Sequence, residues 1–164
     1  MNNILEKLGI DYLLVNSTNK FLVEYPMLSE NARYTLTGFS GSTGDALITK
    51  NNIYLFVDGR YHTQADLEAK NEVTVIKLQL GQKQDDEIKK IIEPSKVLGI
   101  VSKKVSQARL ESFNGYNVKL LDSDPINDIS IEHSKTYNKA LEPISTKFEP
   151  TFITNLEEVS YLTG

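Results

Sequence analysis

Cysteine is absent from all 164 residues. That excludes disulfides and thiolate chemistry and permits a reducing compartment. Histidine is nearly as scarce, with only His62 and His133. Neither has a partner at ligand spacing, and no His-Glu-x-x-His motif occurs, so the chain carries no recognisable ligand set for a hydrolytic metal. Both histidines read as surface or helix-capping side chains. Long apolar runs are missing too. The longest aliphatic or aromatic run, Ile53-Tyr54-Leu55-Phe56-Val57, is far too short to cross a bilayer. Glu6 and Asp11 interrupt the stretch where a secretory leader needs an apolar core. A cytoplasmic protein with no membrane partner is expected. Positive charge is not in excess either: 18 Lys and Arg face 22 Asp and Glu, a formal charge of −4. Nucleic-acid binding needs a basic surplus, so nucleic acid is not expected as a partner. The pairs Lys89-Lys90 and Lys103-Lys104 read as solvated faces.

What remains is the composition of an ordinary globular protein, long enough for one domain and part of a second. Asn3 to Leu8 has the pattern of a short amphipathic helix stopped by Gly9, and Tyr12 to Val15 that of a buried strand. Ser29-Glu30-Asn31 reads as a helix start, with Ala32 to Leu36 the helix and Gly38 its end. Ala46 to Thr49 and Ile53 to Val57 form a hairpin through Lys50-Asn51-Asn52. Both strands are apolar on successive residues, which implies that both sheet faces are covered. Beyond Asp58 helix and strand alternate: a helix over 60–70, strand 73–78, helix 85–92, strand 97–101, helix 105–113, strand 118–121. A hairpin followed by such units predicts an α/β domain, a mixed sheet with helices on its faces.

After Asp122-Ser123-Asp124-Pro125 the pattern changes. A polar helix is expected over 133–142, stopped by Pro143, then a strand near 150–154. Leu162-Thr163-Gly164 echoes Leu36-Thr37-Gly38. The division expected is therefore 1–126 as the first domain and 127–164 as a linker and the incomplete start of a second, related one. The apolar Phe152, Ile153, Val159, Tyr161 and Leu162 lack a sheet of their own and suit packing on a second copy, so a homodimer is an open option.

Four of the nine glycines lie between Thr37 and Ala65, in TGFSGSTGDALITKNNIYLFVDGRYHTQA. No glycine is followed by lysine and the segment leads into a strand, so neither a P-loop nor a dinucleotide fingerprint fits. Gly38, Gly41 and Gly44 read as turns needing positive φ. Ser40 is not a nucleophile elbow, because Ser42 stands where that motif needs glycine. Both serines read as turn formers bonding nearby backbone. In Asp58-Gly59-Arg60-Tyr61, Asp58 can cap the next helix and Gly59 can turn the strand exit. Arg60 has two readings of equal weight: a surface ion pair of small value, or a guanidinium exposed at a strand's carboxyl end to grip a carboxylate or carbonyl.

The joint pattern of Thr-Gly-Phe-x-Gly-Ser, a hairpin, and Asp-Gly-Arg-Tyr with Gln-Ala resembles the N-terminal domain of Xaa-Pro aminopeptidases in the creatinase/prolidase superfamily. The likeness covers most of 1–121, and ITNLEEVSYLTG resembles the opening of that family's second domain. It implies a ribonuclease H-like N-terminal domain that does not itself catalyse. The parent enzyme would remove the N-terminal residue from peptides with proline second. Its absent pita-bread domain would hold two divalent metals, commonly manganese. In this family the arginine of the Asp-Gly-Arg-Tyr motif contacts the peptide, and Arg60 looks like its counterpart. The partners implied are the peptide substrate and the parent's second and catalytic domains. His62 and Ser102 depart from the usual pattern, where an apolar or aromatic residue and an acid are frequent. A stand-alone interaction module is the rival reading. A ribonuclease H-like nuclease ranks last, because Tyr12 to Val15 carries no central carboxylate.

Overall fold

The computed structural model describes residues 2–127. The helix expected over 133–142, the strand near 150–154 and the echo at 162–164 lie outside the described residues. Within them the elements are α1 (Asn2–Leu8), β1 (Tyr12–Val15), α2 (Ala32–Thr37), β2 (Asp45–Ile48), β3 (Ile53–Val57), α3 (His62–Glu68), β4 (Val73–Lys77), α4 (Gln84–Lys89), β5 (Val97–Val101), α5 (Gln107–Ser112) and β6 (Asn117–Leu121). The strands form one six-stranded sheet in the order β4-β3-β2-β1-β5-β6. Only β2 runs against its neighbours; β3–β4, β1–β5 and β5–β6 pair in parallel.

Local chemistry sets several of the boundaries. Gly9 adopts φ +59 and ends α1, while Gly38 at φ +81 ends α2 and returns its N–H to the Tyr34 carbonyl. Asn31 caps α2, its side-chain oxygen accepting from the Tyr34 N–H at 3.0 Å. Ser106 caps α5 in the same way. The expected helix over 60–70 is shorter than its pattern, because Asp58 to Tyr61 is used for a turn instead.

Alternation along the strands explains the unbroken apolar runs. Leu14, Leu47, Phe56, Leu98 and Ile100 face one way, onto Ile88, Ile92 and Phe113 of the α4 and α5 regions. Leu13, Val15, Ala46 and Ile48 face the other way, onto Leu5 and Ala32 of α1 and α2. Leu55 and Val57 continue that second face beneath Phe39 and Ala65 of α3. Both faces are covered, so period-two polarity is lost in the central strands and survives only at the edges β4 and β6.

One expectation fails. Lys104 is not on a solvated face: its side chain is 7% exposed and its Nζ lies 2.6 Å from Asp124 Oδ2, in a close contact poorly aligned as a hydrogen bond. It also donates to the Glu30 carbonyl at 3.2 Å, and its own carbonyl accepts from Asn16 and Thr18. The turn after β5 directs it inward, a placement that a Lys-Lys pair in sequence does not disclose. Lys104→Met alone should cost about 3–5 kcal/mol by leaving Asp124 as an unpaired buried charge. Lys104→Met with Asp124→Leu should recover most of that loss in urea unfolding; a double variant as unstable as the sum of the singles would refute the pairing.

Candidate functional site

Reversal of β2 brings its start to the same edge as the carboxyl ends of all the other strands. The chain leaves β1 toward β2 on one side and returns to β5 on the other, so a topological switch point lies between β1 and β5. Crevices outside that point are where open α/β sheets bind ligands. A cleft of about 370 Å³ sits there, lined by Asn16, Ser17, Thr43, Asp45, Lys104 and Arg109 among others.

The polar groups of the cleft satisfy one another. Asp45, 3% exposed, accepts from the Ser17 N–H at 2.7 Å, from Gln84 Nε2 at 2.8 Å and from Arg109 Nη1. Arg109 also grips Asp85 through Nη2 at 2.7 Å and Nε at 3.2 Å, and Ser112 Oγ donates to the same carboxylate at 2.9 Å. Burial opposes the charge on Arg109, but Asp45 and Asp85 more than offset it and hold the guanidinium protonated above its ordinary range. The paired charges brace the ends of β2, α4 and α5 against one another. Asp45 and Asp85 are bridged by a cation, and among the described residues no three His, Cys, Asp or Glu side chains converge to hold a metal. These residues do not fit a metal pair.

Asp58 to Tyr61 lies one strand pair away, at the end of β3. Arg60 Nη2 meets Asp58 Oδ2 at 2.8 Å and Arg60 Nε meets Oδ1 at 3.1 Å, while the Arg60 N–H also donates to Oδ1 at 3.0 Å. Nη2 further donates to Thr43 Oγ1 at 3.3 Å. The Arg60 side chain is nevertheless 67% exposed, and Nη1 makes no hydrogen bond among the described residues. The ion pair of the first reading is present, and it leaves the guanidinium exposed at the carboxyl end of β3. Asp58 does not cap α3. It closes the turn on Arg60 instead, and Tyr61 occupies the cap position. Gly59 has no crowding at its Cβ position and no positive φ, so its place in the turn does not demand glycine.

The glycine loop before β2 is built around Arg33, which is fully buried. Its Nη1 donates to the carbonyls of Thr43 at 2.9 Å and Gly44 at 3.1 Å, its Nη2 to that of Gly41, and its guanidinium lies 4.7 Å from the Phe39 ring centroid. Burial pulls its pKa down to about 10, partly offset by Asp45, Tyr61 and Glu68. Gly38 and Gly44 have the expected positive φ, but Gly41 does not. Gly41 is small for another reason: a Cβ there would overlap the Phe39 ring and crowd Tyr61. The serines bond side chains of the α3 region rather than nearby backbone. Ser40 Oγ donates to the Glu68 carboxylate at 2.9 Å, and Ser42 Oγ lies 2.8 Å from the Tyr61 hydroxyl. Burial would raise the Glu68 pKa, but the Ser40 N–H and hydroxyl and Gln64 outweigh it and hold the group below its ordinary value. His62 pairs with the Leu78 carbonyl at 3.1 Å, tying α3 to the end of β4. His133 lies outside the described residues.

The charge of Glu24, in the 20–28 loop, adds weakly to that of Asp58 in favouring the charged Arg60 guanidinium. Phe21, Tyr25 and Met27 are 70–75% exposed. Buried Asn19 shapes the loop by accepting from the N–H groups of Phe21 and Val23, and Leu22 sits at φ +58. Nothing in the sequence singled out Arg33, Asp45 or Arg109. Asp45 had a signal, a charge at the mouth of an apolar strand straight after a glycine loop; Arg109 sits on a polar helix and had none.

The side-chain hydrogen bonds from Arg60 are the main cause that holds Asp58 below its ordinary pKa. A depressed carboxylate contributes stability that is present above its unfolded pKa and lost as pH falls through the folded value. A carbon-detected carboxyl titration should therefore place Asp58 below about 3.9, the usual aspartate value, and Arg60→Ala should return it upward. An Asp58 midpoint unmoved by Arg60→Ala would contradict the pairing.

Comparison with known proteins agrees with this architecture. The model of the Creatinase/Prolidase N-terminal domain matches residues 1–129. A probable Xaa-Pro aminopeptidase P of Coprinopsis cinerea is 34% identical over 77 residues, which is 47% of this chain and 12% of that protein. Aminopeptidase P1 of Arabidopsis thaliana is 39% identical over 69 residues, 42% of this chain and 11% of that one. The matched stretch is thus about an eighth of the length of these curated relatives. Among solved structures, the X-prolyl aminopeptidase of Caenorhabditis elegans, described as a cytosolic enzyme with a di-nuclear active site, superposes with a TM-score of 0.63 at 22% identity. That alignment covers 73% of this chain and 21% of the enzyme. The N-terminal domain of the cytoplasmic peptidase PepQ from Mycobacterium tuberculosis gives 0.55 at 24% identity, over 79% of this chain and 93% of that domain. At such identities the structures speak for the fold alone; the family match carries the assignment, and the chain belongs to the creatinase/prolidase N-terminal domain family.

Proposed function

We propose that this chain is the non-catalytic N-terminal region of an Xaa-Pro aminopeptidase-like protein, where it shapes access to the active site and lends Arg60 to the peptide. The supporting observation is the Arg60 geometry: a guanidinium pinned by Asp58 and Thr43 on the carboxyl edge, two-thirds exposed, with Nη1 left to bind. Such a group suits a carbonyl or carboxylate of a short peptide. The exposed apolar side chains of the 20–28 loop suit a surface that packs on the rest of the parent protein. Residues 1–126 would be this domain and 127–164 a linker and the start of a second, related one. Cleavage before proline would belong to a metal-dependent catalytic domain, with manganese the expected pair of ions and the cytoplasm the expected location.

Two measurements test the reading. The 164-residue chain with manganese and an Arg-Pro peptide should give no turnover. In the enzyme that carries it, Arg60→Ala should raise KM for that peptide about tenfold, the loss of one charge-assisted hydrogen bond, with kcat little changed. Turnover by the chain alone, or an unchanged KM, would defeat it.

A further inference from the structure

We infer that buried Arg33 is the positioning residue for Arg60, acting through the glycine loop; this rests on the reading of Arg60 as a peptide contact. Arg33 sits with its whole side chain out of water, yet it makes no ion pair among the described residues. Its Nη1 and Nη2 donate to three carbonyls of one loop, those of Gly41, Thr43 and Gly44, with the guanidinium face on Phe39, while its buried Nε finds no partner among the described residues. Only arginine offers a planar fork that can serve so many acceptors; lysine has a compact head and would tend to lose its charge in such a site.

The loop so fixed has two side chains that reach the end of β3. Ser42 meets the Tyr61 hydroxyl at 2.8 Å. Thr43 Oγ1 lies 3.3 Å from both Asp58 Oδ2 and Arg60 Nη2, so it touches both members of the ion pair. Thr43 therefore carries both ends of the connection: its carbonyl is held by Arg33 and its hydroxyl by Arg60. Gly41 completes the arrangement by letting the chain pass the Phe39 ring and Tyr61. Tyr61 in turn meets Phe39 edge-on, with ring centroids 5.6 Å apart, and lies under the Arg60 guanidinium at 5.3 Å. A burial cost is borne by Arg33, and beyond its contact with the Phe39 ring it secures the direction of an exposed arginine.

The experiment follows the Arg60 Nε–H resonance by nitrogen–proton NMR in the 164-residue chain. In the wild type the Asp58 contact should set this signal apart from that of a free arginine. Arg33→Met should move it toward the free-arginine position, and Arg33→Lys should restore it only in part. Leu14→Ala, which removes core packing on the opposite sheet face, should lower the melting temperature and leave the signal in place. If Arg33→Met does not fold, Thr43→Val cuts the same connection one step later and should move the signal with Arg33 intact. A folded Arg33→Met or Thr43→Val protein with the Arg60 signal unmoved overturns the inference. Failure of the peptide reading shows separately, as an unchanged KM in Arg60→Ala enzyme while the Arg60 signal still depends on Arg33.

Discussion

Three cations taken out of water organise the carboxyl edge of this sheet: Arg33, Lys104 and Arg109. Each must be answered by charge or by dipoles, because an unpaired buried charge costs several kcal/mol. The answers differ. Arg109 is held by Asp45 and Asp85, Lys104 by Asp124, and Arg33 by three backbone carbonyls and a ring. These partners come from a strand start, the first turn of α4 and two loops, so satisfying the three cations ties those segments to the sheet. The reversal of β2 makes this feasible, since it alone delivers Asp45 and the glycine loop to the edge where the parallel strands end.

That edge carries a functional asymmetry. At the switch point between β1 and β5, where an α/β sheet commonly receives a ligand, the polar groups are paired among themselves. Further along, at the end of β3, one guanidinium is held in place and left open. The charges that line the central crevice are paired with one another, and Ser40 and Ser42 are tied to Glu68 and Tyr61.

Much of the fold was legible in the sequence because it depends on local and periodic signals. The strands at 12–15, 53–57 and 97–101 and the Gly38 stop on α2 follow from apolar runs and a left-handed glycine. At the carboxyl edge only the exposed place of Arg60 after a strand was legible, because its motif fixes that position. Its supports were not. Arg33 looks like any polar residue of a short helix, and its burial comes from the loop folding over it. Lys104 looks solvated until the turn after β5 directs it inward toward Asp124. Ser40 and Ser42 look like turn formers, but α3 packs against their loop and offers them side-chain partners. In each case the deciding contact is tertiary, and composition and spacing carry no trace of it.

The most direct measurement is a structure of the proposed parent enzyme, bound to an uncleaved peptide analogue with proline second. The account predicts Arg60 Nη1 within hydrogen-bond distance of a peptide carbonyl or carboxylate, with its Asp58 and Thr43 contacts retained. An Arg60 that faces bulk solvent in the complex, with the peptide held wholly by other residues, would contradict it.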